Sequence, residues 1–335
     1  FSMVPVAYAL PTGGLSTSAT ITTNDSATQM NITGSNTNNV IHWQSFSIAN
    51  GETVAFNDAN NYLNLVRGTS KSEIDGALSG KGNIYLINPN GILFGSTAQV
   101  NVGNLVASTR AITDADQTTF LAGNNPITTN TATTAAGDII NLGKLQTTSL
   151  VLEGNNITIQ NAADITSNGS TPLTSAVTAK AAGNITVGHK VTETTTRSFT
   201  INGTATDRTV HDYKNATVAS SEYTGKKLDG TTDNVIKESM LVENVYDLQN
   251  MDAKLDGSYM LSGDIVASET SSWSDAGTTN GAGFSPVGND DNEFTGTFDG
   301  ANHTINGLYI NRPTTNKVGL IGLVSTNSII QNVGL

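Results

Sequence analysis

The chain contains no cysteine. That excludes disulfides, thiolate metal centres and a cysteine nucleophile, and it suits a polypeptide that crosses an oxidising compartment before it folds. Charge is scarce as well: charged residues make up 13% of the 335 positions, and 16 basic side chains face 28 acidic ones. The deficit is uneven, with 7 basic and 10 acidic residues in 1–190 against 9 and 18 in 191–335. No basic stripe is present to neutralise phosphates, so neither nucleic acid nor an anionic membrane surface is expected as a partner. No apolar run approaches the ~18 residues of a spanning helix, so the chain is not expected to cross a membrane in that way.

What is abundant is Asn, Thr, Ser and Gly, with 37% hydrophobic residues. Helices draw on Glu, Lys, Arg, Ala and Leu, whereas Thr and Ile favour strands and Asn and Gly supply corners. The composition therefore predicts an all-β protein with many tight turns. The stretch NIYLINPNGILFGSTAQVNV, Asn83–Val102, shows how these are arranged. Ile84–Ile87, Ile92–Phe94 and Ala98–Val102 read as strands, and Asn88–Gly91 and Gly95–Thr97 as the corners between them. Pro89 fixes φ and biases Asn88 to extended backbone, while Asn90 and Gly91 are residues that can enter left-handed conformations. Three short strands and two corners make one rung of a parallel β-helix, a solenoid whose rungs bond to one another ~4.8 Å apart. Related corners recur at Gly82-Asn83-Ile84, Gly137-Asp138-Ile139, Gly154-Asn155-Asn156-Ile157, Gly183-Asn184-Ile185 and Gly263-Asp264-Ile265. Their spacing is irregular but leaves room for coils of ~20–30 residues.

At the start, FSMVPVAYA carries the small-x-small pattern of a signal-peptidase site at Ala7-Tyr8-Ala9. Residues 1–9 are accordingly read as a signal-peptide remnant and the chain as exported. The blocks VIHWQSFSIANGETVAF, LINPNGILFG and AQVNVGNLVAST follow in this order across Val40–Thr109. In these blocks the chain resembles the N-terminal secretion (haemagglutination activity) domain of filamentous haemagglutinin-type exoproteins, the passengers of two-partner secretion. The resemblance implies a right-handed parallel β-helix over 10–189 with an N-terminal cap and extrahelical β-hairpins. It implies that Asn88, Pro89, Asn90, Gly91 and Ile92 form a secretion-associated turn. It further implies a cognate outer-membrane transporter with periplasmic POTRA-type domains, and secretion from, or display on, a Gram-negative-type bacterium. Two departures stand out: LNLVRG replaces an Asn-Arg-Val tract before the motif, and a second Asn-Pro-Asn-Leu motif is absent.

Farther on, VENVYDLQNMDAKLDGSYMLSGDIVAS, FSPVG, FTGTFDGANHTINGLYINR and VGLIGLV are similar to the GLUG-repeat modules of bacterial surface adhesins. That resemblance makes 242–335 a continuation of the β-helix, truncated at its end, on one continuous shaft. Val245, Leu248 and Met251 recur at helical spacing, so Val242–Lys254 is expected to be the one short helix. Lys190–Leu241 alternates Thr with apolar residues around Gly turns and is expected to project as extrahelical hairpins.

Catalysis on a β-helix requires clustered carboxylates on one face. Glu52, Asp58, Glu73 and Asp75 are scattered, and His42, His189, His211 and His303 lack metal-ligand spacing, so no enzyme and no cofactor is expected. Asp290, Asp291 and Glu293, in the run GNDDNEF, form an oxygen-rich loop that could hold calcium, against the simpler reading of a solvated loop. Trp43 and Trp273 are expected to pack in the core or cap. The reading is a monomeric N-terminal fragment of a large secreted adhesin of a virulence type, which mediates cell adhesion through an unidentified host or bacterial surface ligand. The alternative is a β-helical carbohydrate-active enzyme or glycan-binding module.

Overall fold

A computed structural model describes residues 10–125, 134–167, 169–218 and 220–335. Phe1–Ala9, read above as the signal remnant, lies outside the described residues. The chain divides into two compact units, Phe1–Thr186 with Ser221–Lys237, and Val187–Ser220 with Glu238–Leu335.

The first unit is a parallel β-helix with three strands to the rung. One ladder runs Gln29–Gly34, Thr53–Phe56, Ala77–Gly80, Gln99–Asn101, Lys144–Gln146, Ile165–Thr166. A second runs Asn38–Trp43, Asn61–Val66, Asn83–Ile87, Asn104–Ser108, Ser149–Gly154, Val177–Ala181 and Thr224–Lys226. The third runs Ser72–Ile74, Ile92–Phe94, Ile139–Asn141 and Ile157–Ile159. The strands found within Asn83–Val102 are Asn83–Ile87, Ile92–Phe94 and Gln99–Asn101, as the sequence leads one to expect.

In-register pairing stacks like on like. Val54, Leu78, Val100, Leu145 and Ile165 share one inward row, Tyr62, Ile84, Leu105, Leu150 and Val177 another, and Ile92, Ile139 and Ile157 a third. All are buried. Because the side-chain period of a strand is two, these rows face inward and their neighbours face the other way, where Val40, Leu63, Tyr85, Val106 and Val151 form a further apolar row clustered with Phe120. Corners are tight enough to select glycine: a Cβ on Gly82 would stand 1.8 Å from the carbonyl oxygen of Asn60 on the preceding rung.

The N-terminal segment covers the first rung. Thr12 bridges Ser45 and Leu15 bridges His42, both antiparallel, and Ala19–Thr23 pairs antiparallel with Gln29–Gly34. Trp43 is buried beneath it, donates its indole N–H to Asn64 Oδ1 at 3.0 Å and meets Phe46 edge to face at 5.4 Å.

The second unit opens on the antiparallel hairpin Thr194–Ile201/Thr204–His211, with both turn residues, Asn202 and Gly203, at positive φ. That is the chemistry of a two-residue hairpin turn. Met240 pairs with Tyr259 and Val242 with Leu261, and Ser258–Leu261, Thr297–Asp299 and Ile329–Gln331 continue as a parallel ladder. Ile265–Val266 pairs in parallel with Ile305–Asn306.

Two expectations are corrected. Lys190–Leu241 is not one projecting piece: Thr224–Lys226 pairs in parallel with Val177–Ala181 and so adds a strand to the coil. Val242–Lys254 is also not the one helix. The α-helix there is Val245–Asn250, extended by a 3-10 turn at Met251–Ala253, and a second helix occupies Asp114–Leu121. Thr113 and Asp116 form a capping box at its start, and Phe120 packs edge to face on Tyr85 at 5.3 Å. This helix lacks an apolar stripe, so hydrophobic periodicity does not reveal it; the one local signal for it is the capping pair Thr113-x-x-Asp116. Among the described residues no helix is long and apolar enough to cross a membrane.

Candidate functional site

The Asn88–Gly91 turn joins Asn83–Ile87 to Ile92–Phe94 at a corner of the first unit. Asn88 is fully buried. Its Oδ1 accepts from the backbone N–H and the side-chain amide of Asn90, each at 3.0 Å, and its own amide donates to Ser70 O and Ser72 Oγ, also at 3.0 Å. The Asn90 amide reaches the Gly68 carbonyl at 2.9 Å. The Gly91 N–H closes the turn onto the Asn88 carbonyl at 3.1 Å. Pro89 takes the second turn position, where its fixed φ suits and its missing N–H is no loss.

Asn88 N–H donates to Ser108 O and Ile92 N–H to Asp138 O. The turn is thus bonded backwards to Gly68, Ser70 and Ser72 and forwards to Ser108 and Asp138, so its geometry depends on the rungs on both sides. Gly91 has φ 120°, but Asn90 is not among the positive-φ residues. The left-handed conformation open to Asn90 is therefore not taken up; the residue serves through its amide.

This difference alters what substitutions should do. Gly91→Val is expected to destabilise by on the order of 1 kcal/mol or more, since a side chain disfavours its backbone region. Asn90→Gly removes the two bonds of a half-exposed amide, each worth about 0.5–1.5 kcal/mol, so it too lowers the unfolding midpoint. Denaturant unfolding followed by circular dichroism checks both, and an unchanged midpoint for Asn90→Gly would show those bonds to be matched by water.

Along the second ladder an asparagine row ties four rungs together. Asn61 donates to Asn38 Oδ1 at 2.6 Å, Asn83 to Asn61 at 2.6 Å and Asn104 to Asn83 at 2.5 Å, at separations of 23, 22 and 21 residues. Ser149 ends the row, its hydroxyl donating to Asn104 Oδ1 at 2.7 Å. An Asn opening each strand was visible in the sequence; which Asn stacks on which required the register.

Deeper on the same face, Glu153 is fully buried between Arg110, 3.2 Å away, and Lys180, 2.9 Å away. Ser108 donates to its other oxygen at 3.2 Å. The early carboxylates serve corners: Glu52 accepts from Ala49 N–H, and Asp58 accepts from Gly34 N–H, Asn60 N–H and the Tyr62 hydroxyl. Burial, followed by this bond and the charge of Asp58, pushes the Tyr62 hydroxyl far above its ordinary range.

Asp290, Asp291 and Glu293 do not form a ligand set. Asp290 pairs with Lys317, Asn289 caps the loop by accepting from the N–H groups of Asp291 and Asn292, and among the described residues no three His, Asp or Glu side chains converge as a metal site. His189 lies 2.6 Å from Glu238, and His211 is buried 3.4 Å from Glu243 and 3.5 Å from Asp247. Trp273 is buried against Phe199, Tyr246 and Phe284.

The family profile of the TPS secretion domain matches residues 7–281. The chain belongs to the TPS secretion domain family. It is a secretion domain of two-partner secreted exoproteins, a family that is not one of enzymes. Halomucin of Haloquadratum walsbyi is 35% identical over 197 residues, 53% of this chain and 2% of that protein. A Heme/hemopexin-binding protein of Haemophilus influenzae (strain Rd) is 32% identical over 141 residues, 40% of this chain and 16% of that protein. The chain thus spans only a small part of these relatives. The crystal structure of the HMW1 secretion domain from Haemophilus influenzae aligns over 97% of this chain and 99% of that one, at a TM-score of 0.36 and 17% identity. The three sequence blocks of the TPS domain, Val40–Thr109, lie inside the matched range and form its first rungs.

Proposed function

We propose that residues 10 to about 189 are the module by which a cognate outer-membrane transporter, through periplasmic POTRA-type domains, takes up a large exoprotein, and that the same rungs nucleate its folding at the cell surface. The observation that carries this reading is the Asn88–Gly91 turn, hydrogen-bonded to the rungs before and after it inside a capped parallel coil. A coil of this kind adds one rung at a time onto those already formed, so favourable folding outside the cell can bias export without ATP. Residues 242–335 we read as a GLUG-like adhesive region, supported by the parallel ladder within it, Ser258–Leu261, Thr297–Asp299, Ile329–Gln331. In this reading the adhesin reaches the medium or the cell surface as a monomer.

The test is a pull-down with the transporter's periplasmic domains, run beside glycan and matrix-protein arrays, together with export assays of turn variants. Capture by the periplasmic domains, with export falling in proportion to stability in Gly91→Val and Asn90→Gly, is the expected result. Export lost in both variants at unchanged stability would make the turn a direct transporter contact. Capture by the arrays alone would favour the glycan-binding alternative.

A further inference from the structure

Within the second unit, a cavity of about 200 Å³ opens between the Thr194–Ile201 strand, the Val245–Asn250 helix and the segment from Trp273 to Ala276. Two guanidinium groups line it, and both are anchored. Arg197 makes a bidentate pair with Asp252 at 2.6 and 2.8 Å and also donates to Gln249 O and Asn250 Oδ1. Arg312 donates to Asp275 Oδ1 at 2.8 Å and to the carbonyls of Phe284 and Gly283 at 3.1 and 3.3 Å. A guanidinium has five N–H donors, so each retains at least one beyond these bonds.

The third wall is Trp273, 3% exposed, whose indole N–H is buried with no acceptor. Buried indole donors usually find a partner, so one left without is a vacancy that a ligand's acceptor, once the pocket is filled, can relieve. Ser198 and Thr200, of the same strand as Arg197, also line the cavity.

The arrangement discriminates among ligand classes. A neutral sugar is held chiefly by stacking on an open aromatic face, and Trp273 offers none: Tyr246 stacks on it at 5.3 Å and 26°, Phe284 at 6.5 Å and 24°, and Phe199 leans on it at 4.9 Å. A phosphate dianion is poorly matched, because Asp252 and Asp275 already balance the two arginines. Hydrogen bonds from Asn280 and Arg312 hold Asp275 below the usual carboxylate range, so it stays ionised and limits the positive charge. What remains is a small planar monoanion that takes the remaining N–H groups of the two guanidiniums and neighbouring donors.

We propose that this cavity binds a small carboxylate, with Arg197 and Arg312 as its charged contacts and Thr200, Ser198 and the Trp273 N–H as its neutral donors. The carboxylate is carried either by an acidic sugar or by the C-terminus of a peptide.

The chain has two tryptophans, and Trp43 lies buried in the other unit, so emission reports this site once Trp43→Phe has been made. The 335-residue Trp43→Phe protein is titrated with glucuronate, with glucose, with inorganic phosphate, and with a tripeptide bearing a free or an amidated C-terminus. A saturable emission change with glucuronate or with the free-acid tripeptide, absent with glucose, phosphate and the amide, is expected, and the responding arm identifies the source. Thr200→Val, on an exposed strand, and Arg197→Gln should each weaken binding, the latter about tenfold or more. Thermal melts confirm that they fold. The proposal is overturned if neither carboxylate responds, if glucose or phosphate matches them, or if both folded variants bind as tightly as the parent.

Discussion

Deleting Leu10–Asn38 is expected to yield protein that is neither secreted nor soluble. The segment does more than precede the coil. Gln29–Gly34 is the strand on which Thr53–Phe56 pairs, and Thr12 and Leu15 exchange backbone bonds of 2.8–2.9 Å with Ser45, Gln44 and His42. Without it, the N–H and C=O groups along Thr53–Phe56 and the end of the first rung lose their partners, and Trp43, Ile41, Val54 and Phe56 lose their cover. An uncovered first rung is a flat strand edge over an apolar core, which is a template for pairing with other chains. The intact cap ends instead in Ala19–Thr23, a short strand with exposed Thr20, Thr22 and Thr23. The measurement is the partition of product between medium, soluble lysate and pellet. Normal export of a soluble product would show that the first rung needs no cover.

Glu153→Ala is expected to destabilise the first unit by about 3–5 kcal/mol, the usual consequence of removing one partner from a buried ion pair. The carboxylate is fully buried and serves Ser108 and Lys180, on the strands either side of its own, and Arg110, itself 2% exposed and two residues past the first of those strands. Its removal leaves two cationic heads facing one another around a small void. Glu153→Leu with Arg110→Met and Lys180→Met should recover much of the loss, because a well-packed apolar substitute for a buried ionic cluster is often neutral or stabilising. Urea unfolding of the three proteins separates these cases. A loss below about 1 kcal/mol in Glu153→Ala would mean that the cluster behaves as an exposed pair, contrary to its burial.

What the sequence by itself determined was local: the all-β character, the three strands and two corners of Asn83–Val102, the Gly-Asn corners and the helix near Val245. These follow from preferences of single residues and of neighbours within one turn, which act wherever the residues occur. The tertiary structure alone decided which strand lies on which. Rung partners stand 21–23 residues apart along Asn38, Asn61, Asn83 and Asn104, but 45 apart from Asn104 to Ser149, because the Asp114–Leu121 helix and its flanks are inserted between two strands of one rung. With the interval so variable, no fixed period announces the asparagine row, the partners of Glu153 or the return of Thr224–Lys226 to the coil. Asn90 shows the same limit at the scale of one residue: its type suits a left-handed turn, but a carbonyl of the preceding rung, at Gly68, gave its amide a partner and set its role. Register in a coil is settled by burying every apolar row at once, and that condition belongs to the whole stack.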